Sequence, residues 1–217
     1  MRVVTNQRPW SLNLAITGLP VPEDDARAMA LQETNLVDLL RDAESIVVGV
    51  VMSVTSGVSA VGLPFTEITL HVEESIRGSF DETYVFRQFR LTDARASVAP
   101  MVLMLPEPEG IPTYRAGERV LLFLGPVATM SGFRSTLGLG VGRFVIESGR
   151  AENGFMNAGV FSNVSVDPKV VTARDARILR TSLGGVCADD LLSLVRRAVQ
   201  SSWTRTHRMW KTSDQRE

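Results

Sequence analysis

The sequence predicts a mainly β protein, an antiparallel OB-like barrel with short N- and C-terminal helices packed on it; a β-sandwich is the alternative. Three observations lead there. Short stretches rich in Val, Ile, Phe and Thr recur between residues 45 and 166, divided by turn residues and by no long helical pattern. One of them, residues 65–76, alternates cleanly, with Ile68, Leu70 and Val72 opposed to Glu67, Thr69, His71 and Glu73. That is the signature of an antiparallel strand with one face in a core. Helical texture is confined to the two ends of this region, so parallel βαβ units are not expected.

Residues 1–30 carry Pro9, Pro20 and Pro22, lack a steady period and read as a leader or disordered segment. Arg2, Arg8 and Ala28-Met29-Ala30 sketch a secretory signal. Its apolar middle is broken by Ser11, Asn13, Thr17, Gly18 and Pro20, and Glu23, Asp24 and Asp25 precede the cleavage site. Thr34 or Asn35 then caps a helix of about three turns, with an apolar stripe of Leu36, Leu39, Leu40 and Ala43. Residues 45–56, dense in Val and Ile, read as a strand buried on both faces and bent at Gly49. After the alternating strand, Arg77-Gly78 makes a turn and residues 83–91 form a third strand. Residues 92–117 are non-periodic. Further strands are expected over 117–126, 132–147 and 154–166. A closing helix covers 189–202, its Leu191, Leu192, Val195, Ala198 and Val199 on one side and Asp189 and Asp190 at its start.

With 217 residues, 44% hydrophobic and 22% charged, the chain fits one domain over residues 31–202, followed by a basic tail over 203–217. The tail and the preceding helix hold Arg196, Arg197, Arg205, Arg208 and Lys211 with no acid between Leu191 and Ser213. Over the whole chain the net charge is only -1, which gives no electrostatic case for nucleic acid or membrane binding. No apolar run approaches the ~18–20 residues that cross a bilayer, so no transmembrane segment is expected.

The catalytic options are few. Cys187 with His71 or His207 would be the one nucleophile–base pair, but Cys187 follows Gly184-Gly185-Val186 beside a helix and reads as a small buried hydrophobe. Glu73 and Glu74 are adjacent on a strand and point to opposite faces, so they cannot share a substrate. One cysteine and two separated histidines give no zinc motif, and no cofactor is expected. Gly138, Gly140 and Gly142 recur every second residue in a β pattern, which is not a phosphate loop; they read as one face of a strand approached by another backbone. In Phe86-Arg87-Gln88-Phe89-Arg90 the two phenylalanines alternate to opposite faces and form no stacking platform for nucleic acid. The surface candidate is the apolar knot Met101, Val102, Leu103 and Met104, set in a long loop between Pro100 and Pro106. Loops of that length are uncommon unless functional or disordered, and methionines adapt to irregular partners; the alternative is a segment that folds back as a lid or an extra edge strand completing the core.

Four segments occur in order: ESIVVGVV (44–51), ITLHVEESIRG (68–78), YRAGERVLLFLG (114–125) and GLGVGRFVIE (138–147). Over about residues 31–166 the chain resembles a group of bacterial, mostly exported proteins that carry these segments in a small barrel similar to the netrin-like barrel of metalloproteinase inhibitors. Arg77 and Arg143 stand where that group has lysines, and Ser45 stands in place of an acid. The resemblance implies an OB-like fold and an exported location, and it implies no catalytic residues. The expected role is therefore non-enzymatic: binding or interaction with another protein outside the cytoplasm. The alternative, an accessory or inhibitory module for a secreted peptidase, rests on the netrin-like likeness.

If the methionine knot is a contact site, Met101→Ser with Met104→Ser weakens association while the melting temperature barely moves. Early proteolytic cleavage within residues 92–112 accompanies that outcome. Full protection, with a stability loss of several kcal/mol in the double variant, identifies a core segment instead.

Overall fold

The computed structural model describes residues 34–89 and 110–215. The leader over residues 1–30 and the knot Met101, Val102, Leu103 and Met104 lie outside them. The fold is mainly β. Strands β1 (Ser45–Val58), β2 (Pro64–Arg77), β3 (Thr83–Phe89), β4 (Arg119–Leu124), β5 (Arg143–Glu147), β6 (Arg150–Asn153) and β8 (Val186–Cys187) form one antiparallel sheet in the order β3-β2-β1-β4-β5-β6-β8. Strands β7 (Val164–Val166) and β9 (Met209–Lys211) make a separate two-stranded ribbon. Helices α1 (Leu36–Asp42), α2 (Ala173–Ile178) and α3 (Ala188–Gln200) complete the described elements together with two short 3-10 turns.

The two central strands are apolar on both sides, and this gives the molecule two cores. On β1, Ile46 and Val48 face the helices while Val47 and Val51 face the other way, and none of the four is more than 1% exposed. β4 repeats the division, with Leu121 and Phe123 against Val120, Leu122 and Leu124. The first core joins Phe144 to Leu36, Leu39 and Leu40 of α1 and to Leu191, Leu194 and Val195 of α3. The second gathers Ile68, Leu70, Phe86 and Tyr114 on the opposite face. Past Val51 the pattern stops. From there the β1–β2 hairpin continues as an arm with one face open to solvent, exposing Met52 and Val58 and, at its turn, Val61, while Ile68 and Leu70 on its β2 side stay in the second core.

Both flanking helices pack on the sheet, as expected, and α1 is held at each end. Asn35 caps it, accepting from the Val37 and Asp38 N–H groups at 3.0 and 3.3 Å, and Asp38 accepts in return from the Asn35 N–H at 3.1 Å. At the other end Arg77 donates to the Leu40 and Ala43 carbonyls at 2.7 and 2.8 Å, satisfying groups the helix leaves unpaired. Residues 203–215 belong to the body and not to a solvated tail. Trp203 is 2% and Met209 1% exposed, β9 pairs with β7, and Lys211 Nζ lies 2.6 Å from Asp38 Oδ2.

Two expectations need correction. The barrel is not closed: β3 and β8 end the sheet on opposite edges and share no ladder among the described residues. Register shifts at Ile46/Val47, Val48/Gly49 and Val51/Ser53 bend β1 and coil the sheet, as bulges do. Among the described residues the gap between β4 and β3 is spanned by the loop that follows β4: the Leu137 N–H donates to the Phe123 carbonyl at 2.9 Å and the Gly125 N–H to the Ser135 carbonyl at 3.0 Å, and the Arg134 N–H reaches the Arg87 carbonyl on β3 at 2.7 Å. The glycine run is not a strand face either. Gly138 sits at φ +56° and starts a 3-10 turn over Leu139–Gly142, before β5 begins at Arg143. Close backbone approach is nonetheless what these glycines permit: the Gly140 N–H donates to the Gly110 carbonyl at 2.8 Å and the Gly142 N–H to the Leu137 carbonyl at 2.9 Å.

Gly49 marks the bend in β1 because a Cβ there would stand 2.5 Å from the His71 carbonyl oxygen. Gly49→Ala is expected to lower stability by roughly 1–3 kcal/mol, read by urea denaturation, through overpacking against a strand that cannot withdraw.

Candidate functional site

A groove of about 640 Å³ lies beside the turn of the hairpin arm. Three pieces of chain build it. Leu63, at the arm's turn, and Phe89, at the end of β3, form one wall. The loop over residues 125–139, which leaves β4, supplies Phe133, Leu137 and Leu139. Phe133 is 6% exposed and meets Phe65 edge to face at 5.8 Å, so the floor is anchored to β2. Among the described residues none that lines the groove is charged; the polar groups are hydroxyls of Ser131, Ser135 and Thr136 and the backbone at Gly125 and Gly138. The flanking loops add Val61 at 71% and Met130 at 98% exposure, an apolar display that an isolated surface does not need.

Arg134 holds this loop in place. Its side chain is 7% exposed and its guanidinium donates in three directions: Nε to the Gly125 carbonyl at 2.8 Å, Nη1 to Tyr84 Oη at 3.0 Å, and Nη2 to Ser45 Oγ at 2.7 Å. The Glu44 carboxylate, itself half exposed, stands 3.5 Å away. One side chain thus ties the groove loop to the start of β1, to β3 and to the end of β4.

The sequence-derived candidates are dispersed. His71 lies on β2, half exposed, with Nδ1 3.8 Å from Glu82. Cys187 lies on β8, with four strands between them in the sheet order. His207 follows the far end of α3, which at 13 residues is about 20 Å long, from Cys187 at its start. Neither histidine is positioned to activate the thiol. Cys187 is exposed, not buried: alternation on β8 turns Val186 inward and Cys187 out. Glu73 and Glu74 diverge as adjacent strand residues must, Glu73 bonding Arg119 at 2.7 Å and Glu74 accepting two bonds from Arg196 at 2.6 Å each. On β3, Phe86 and Gln88 are buried while Arg87 and Phe89 face out, with Arg87 lying over the Phe65 ring at 4.5 Å.

Arg77 and Arg143 are architectural. Arg77 closes α1, and Arg143 pairs with Glu118 while its guanidinium covers the Tyr114 ring at 4.8 Å. Burial of Tyr114 pushes its hydroxyl well above the ordinary tyrosine range, so it stays protonated. A second concavity, of about 430 Å³ between α2 and α3, is lined by charges already engaged with one another, Asp175 with Arg197 at 2.6 Å and Arg174 with Asp190 at 3.6 Å. Among the described residues no three His, Cys, Asp or Glu side chains cluster as a metal site requires, and no helix is long and apolar enough to cross a membrane.

The groove residues Leu63, Phe89, Phe133, Leu137 and Leu139 escaped the sequence reading. Leu63 carried a signal, since Val61-Gly62-Leu63-Pro64 puts large apolar side chains in a turn where polar ones are usual. The others come together only through the fold. No protein-family model, no curated protein and no solved structure matches the chain.

Arg134→Met should lower stability by about 2–4 kcal/mol, because Tyr84, Ser45 and the Gly125 carbonyl all lose a partner at a buried point. Chemical denaturation measures the loss, and hydrogen exchange should show the Gly125 and Arg134 amides opening first.

Proposed function

We propose that this protein is a non-enzymatic interaction module whose apolar groove takes up an apolar segment of another protein. The observation that carries the reading is the groove itself: about 640 Å³, without a charged side chain among the described residues that line it, walled by Leu63, Phe89, Phe133 and Leu137, and flanked by side chains as exposed as Met130. A concave apolar surface with a few hydroxyl and backbone groups at its base offers burial for affinity and hydrogen bonds for orientation. Each large side chain it receives contributes roughly 1.5–3 kcal/mol of burial. The scattered His71, Cys187, Glu73 and Glu74 offer no assembled alternative chemistry. A location outside the cytoplasm is part of the proposal and rests on the resemblance over residues 31–166.

Selection of a random peptide library against the full chain tests this. Apolar peptides should be enriched, and Leu63→Arg should weaken their binding at least tenfold while leaving the melting temperature unchanged. Cys187→Ala and His71→Ala should leave that binding intact. Enriched peptides indifferent to Leu63→Arg, or no enrichment, would refute the reading.

A further inference from the structure

The described chain enters the fold at the groove. Thr34, its first described residue, lies against Gly138 of the groove wall: a Cβ on Gly138 would stand 3.2 Å from Thr34 Cγ2. Upstream of that point the sequence has a segment of matching chemistry. From Trp10 to Thr17 it reads Trp-Ser-Leu-Asn-Leu-Ala-Ile-Thr, with apolar residues at 10, 12, 14 and 16. In an extended backbone those four share one face, and Ser11, Asn13 and Thr17 occupy the other. No charge occurs between Arg8 and Glu23, and none of the described residues that line the groove is charged. Seventeen residues, 17–33, join Ile16 to Thr34; fully extended they span up to about 55 Å, so the tether reaches without constraint.

We propose that Trp10, Leu12, Leu14 and Ile16 of the same chain occupy the groove in cis, so that the chain's own N-terminal segment competes with the partner segment of the proposed function. The inference rests on that function for the groove's role and adds its first ligand. A tether of this length keeps the segment at an effective concentration near the millimolar range, enough to fill the groove with modest intrinsic affinity. A partner then binds with its apparent affinity reduced by the fraction of free groove. The polar face of Ser11, Asn13 and Thr17 stays toward water, which an alternating segment provides and a uniformly apolar one does not.

The test uses the full chain and the emission of Trp10, isolated by subtracting the spectrum of Trp10→Phe from that of the wild type. Docked Trp10 should emit at shorter wavelength than a hydrated indole and resist acrylamide quenching several-fold, equally at low and high protein concentration. Leu63→Arg, at the groove, and Leu12→Asp with Leu14→Asp, in the segment, should each return Trp10 to the hydrated values. The segment variant should also raise the affinity of library-selected groove peptides, about tenfold if the groove is nine-tenths occupied. Protection that grows with protein concentration means exchange between copies and overturns the cis assignment. Groove-peptide affinity raised instead by Met101→Ser with Met104→Ser, and not by the segment variant, assigns the groove to residues 98–105 and overturns it too. A Trp10 hydrated in every form, with peptides still bound through Leu63, removes this inference and leaves the proposed function standing; peptides indifferent to Leu63 remove both.

Discussion

A single buried guanidinium fixes where the sheet ends and the groove begins. Antiparallel strands that curl without closing leave an edge whose backbone groups must be satisfied, and β3 has no further strand beside it among the described residues. Arg134 answers that problem twice. Its backbone N–H meets the Arg87 carbonyl on β3, and its side chain reaches Tyr84, Ser45 and Gly125 on three different strands or their ends. A planar cation with five donors does this where a lysine would serve one or two partners. Everything on the groove side of the molecule is oriented from that point. The loop over residues 125–139 descends past Phe133, turns at Gly138, and delivers Gly140 to the backbone of Gly110.

Much of the architecture was legible because its causes are local. The capping box at Asn35 and Asp38, the alternation of Ile68, Leu70 and Val72, and the bend at Gly49 each follow from neighbouring residues. Barrel closure was not legible, since it depends on whether distant edges meet, and here the segment after β4 spends its length on a glycine-rich turn. The end of the chain misled for a related reason. Arg205, Arg208 and Lys211 make a solvated tail by composition, but Trp203 and Met209 find a core that 13 residues of α3 place within reach. Charge describes a segment's surface; two apolar anchors decide whether it folds back.

The groove shows the same division. Residues 63, 89, 133, 137 and 139 share no motif or spacing, and they gather because the hairpin turn, a strand end and a long loop converge. The arginines of the recognisable segments were visible in the sequence and have structural roles: Arg77 caps a helix and Arg143 pairs with Glu118 across a tyrosine ring. The arginines conspicuous in the sequence therefore hold the body together, while the groove lies in segments between them.

The bond between Lys211 and Asp38 has a consequence for synthesis. Helix α1 precedes every other described element, yet its buried carboxylate, paired on one oxygen with Arg41 of the same helix, gains a cation on the other only when β9 arrives more than 170 residues later, and β7 waits for the same strand. Contacts so distant in sequence slow the closing stage of folding. Until Lys211 emerges, the nascent chain carries an unfinished helical face and a strand without its partner, the kind of surface that chaperones recognise.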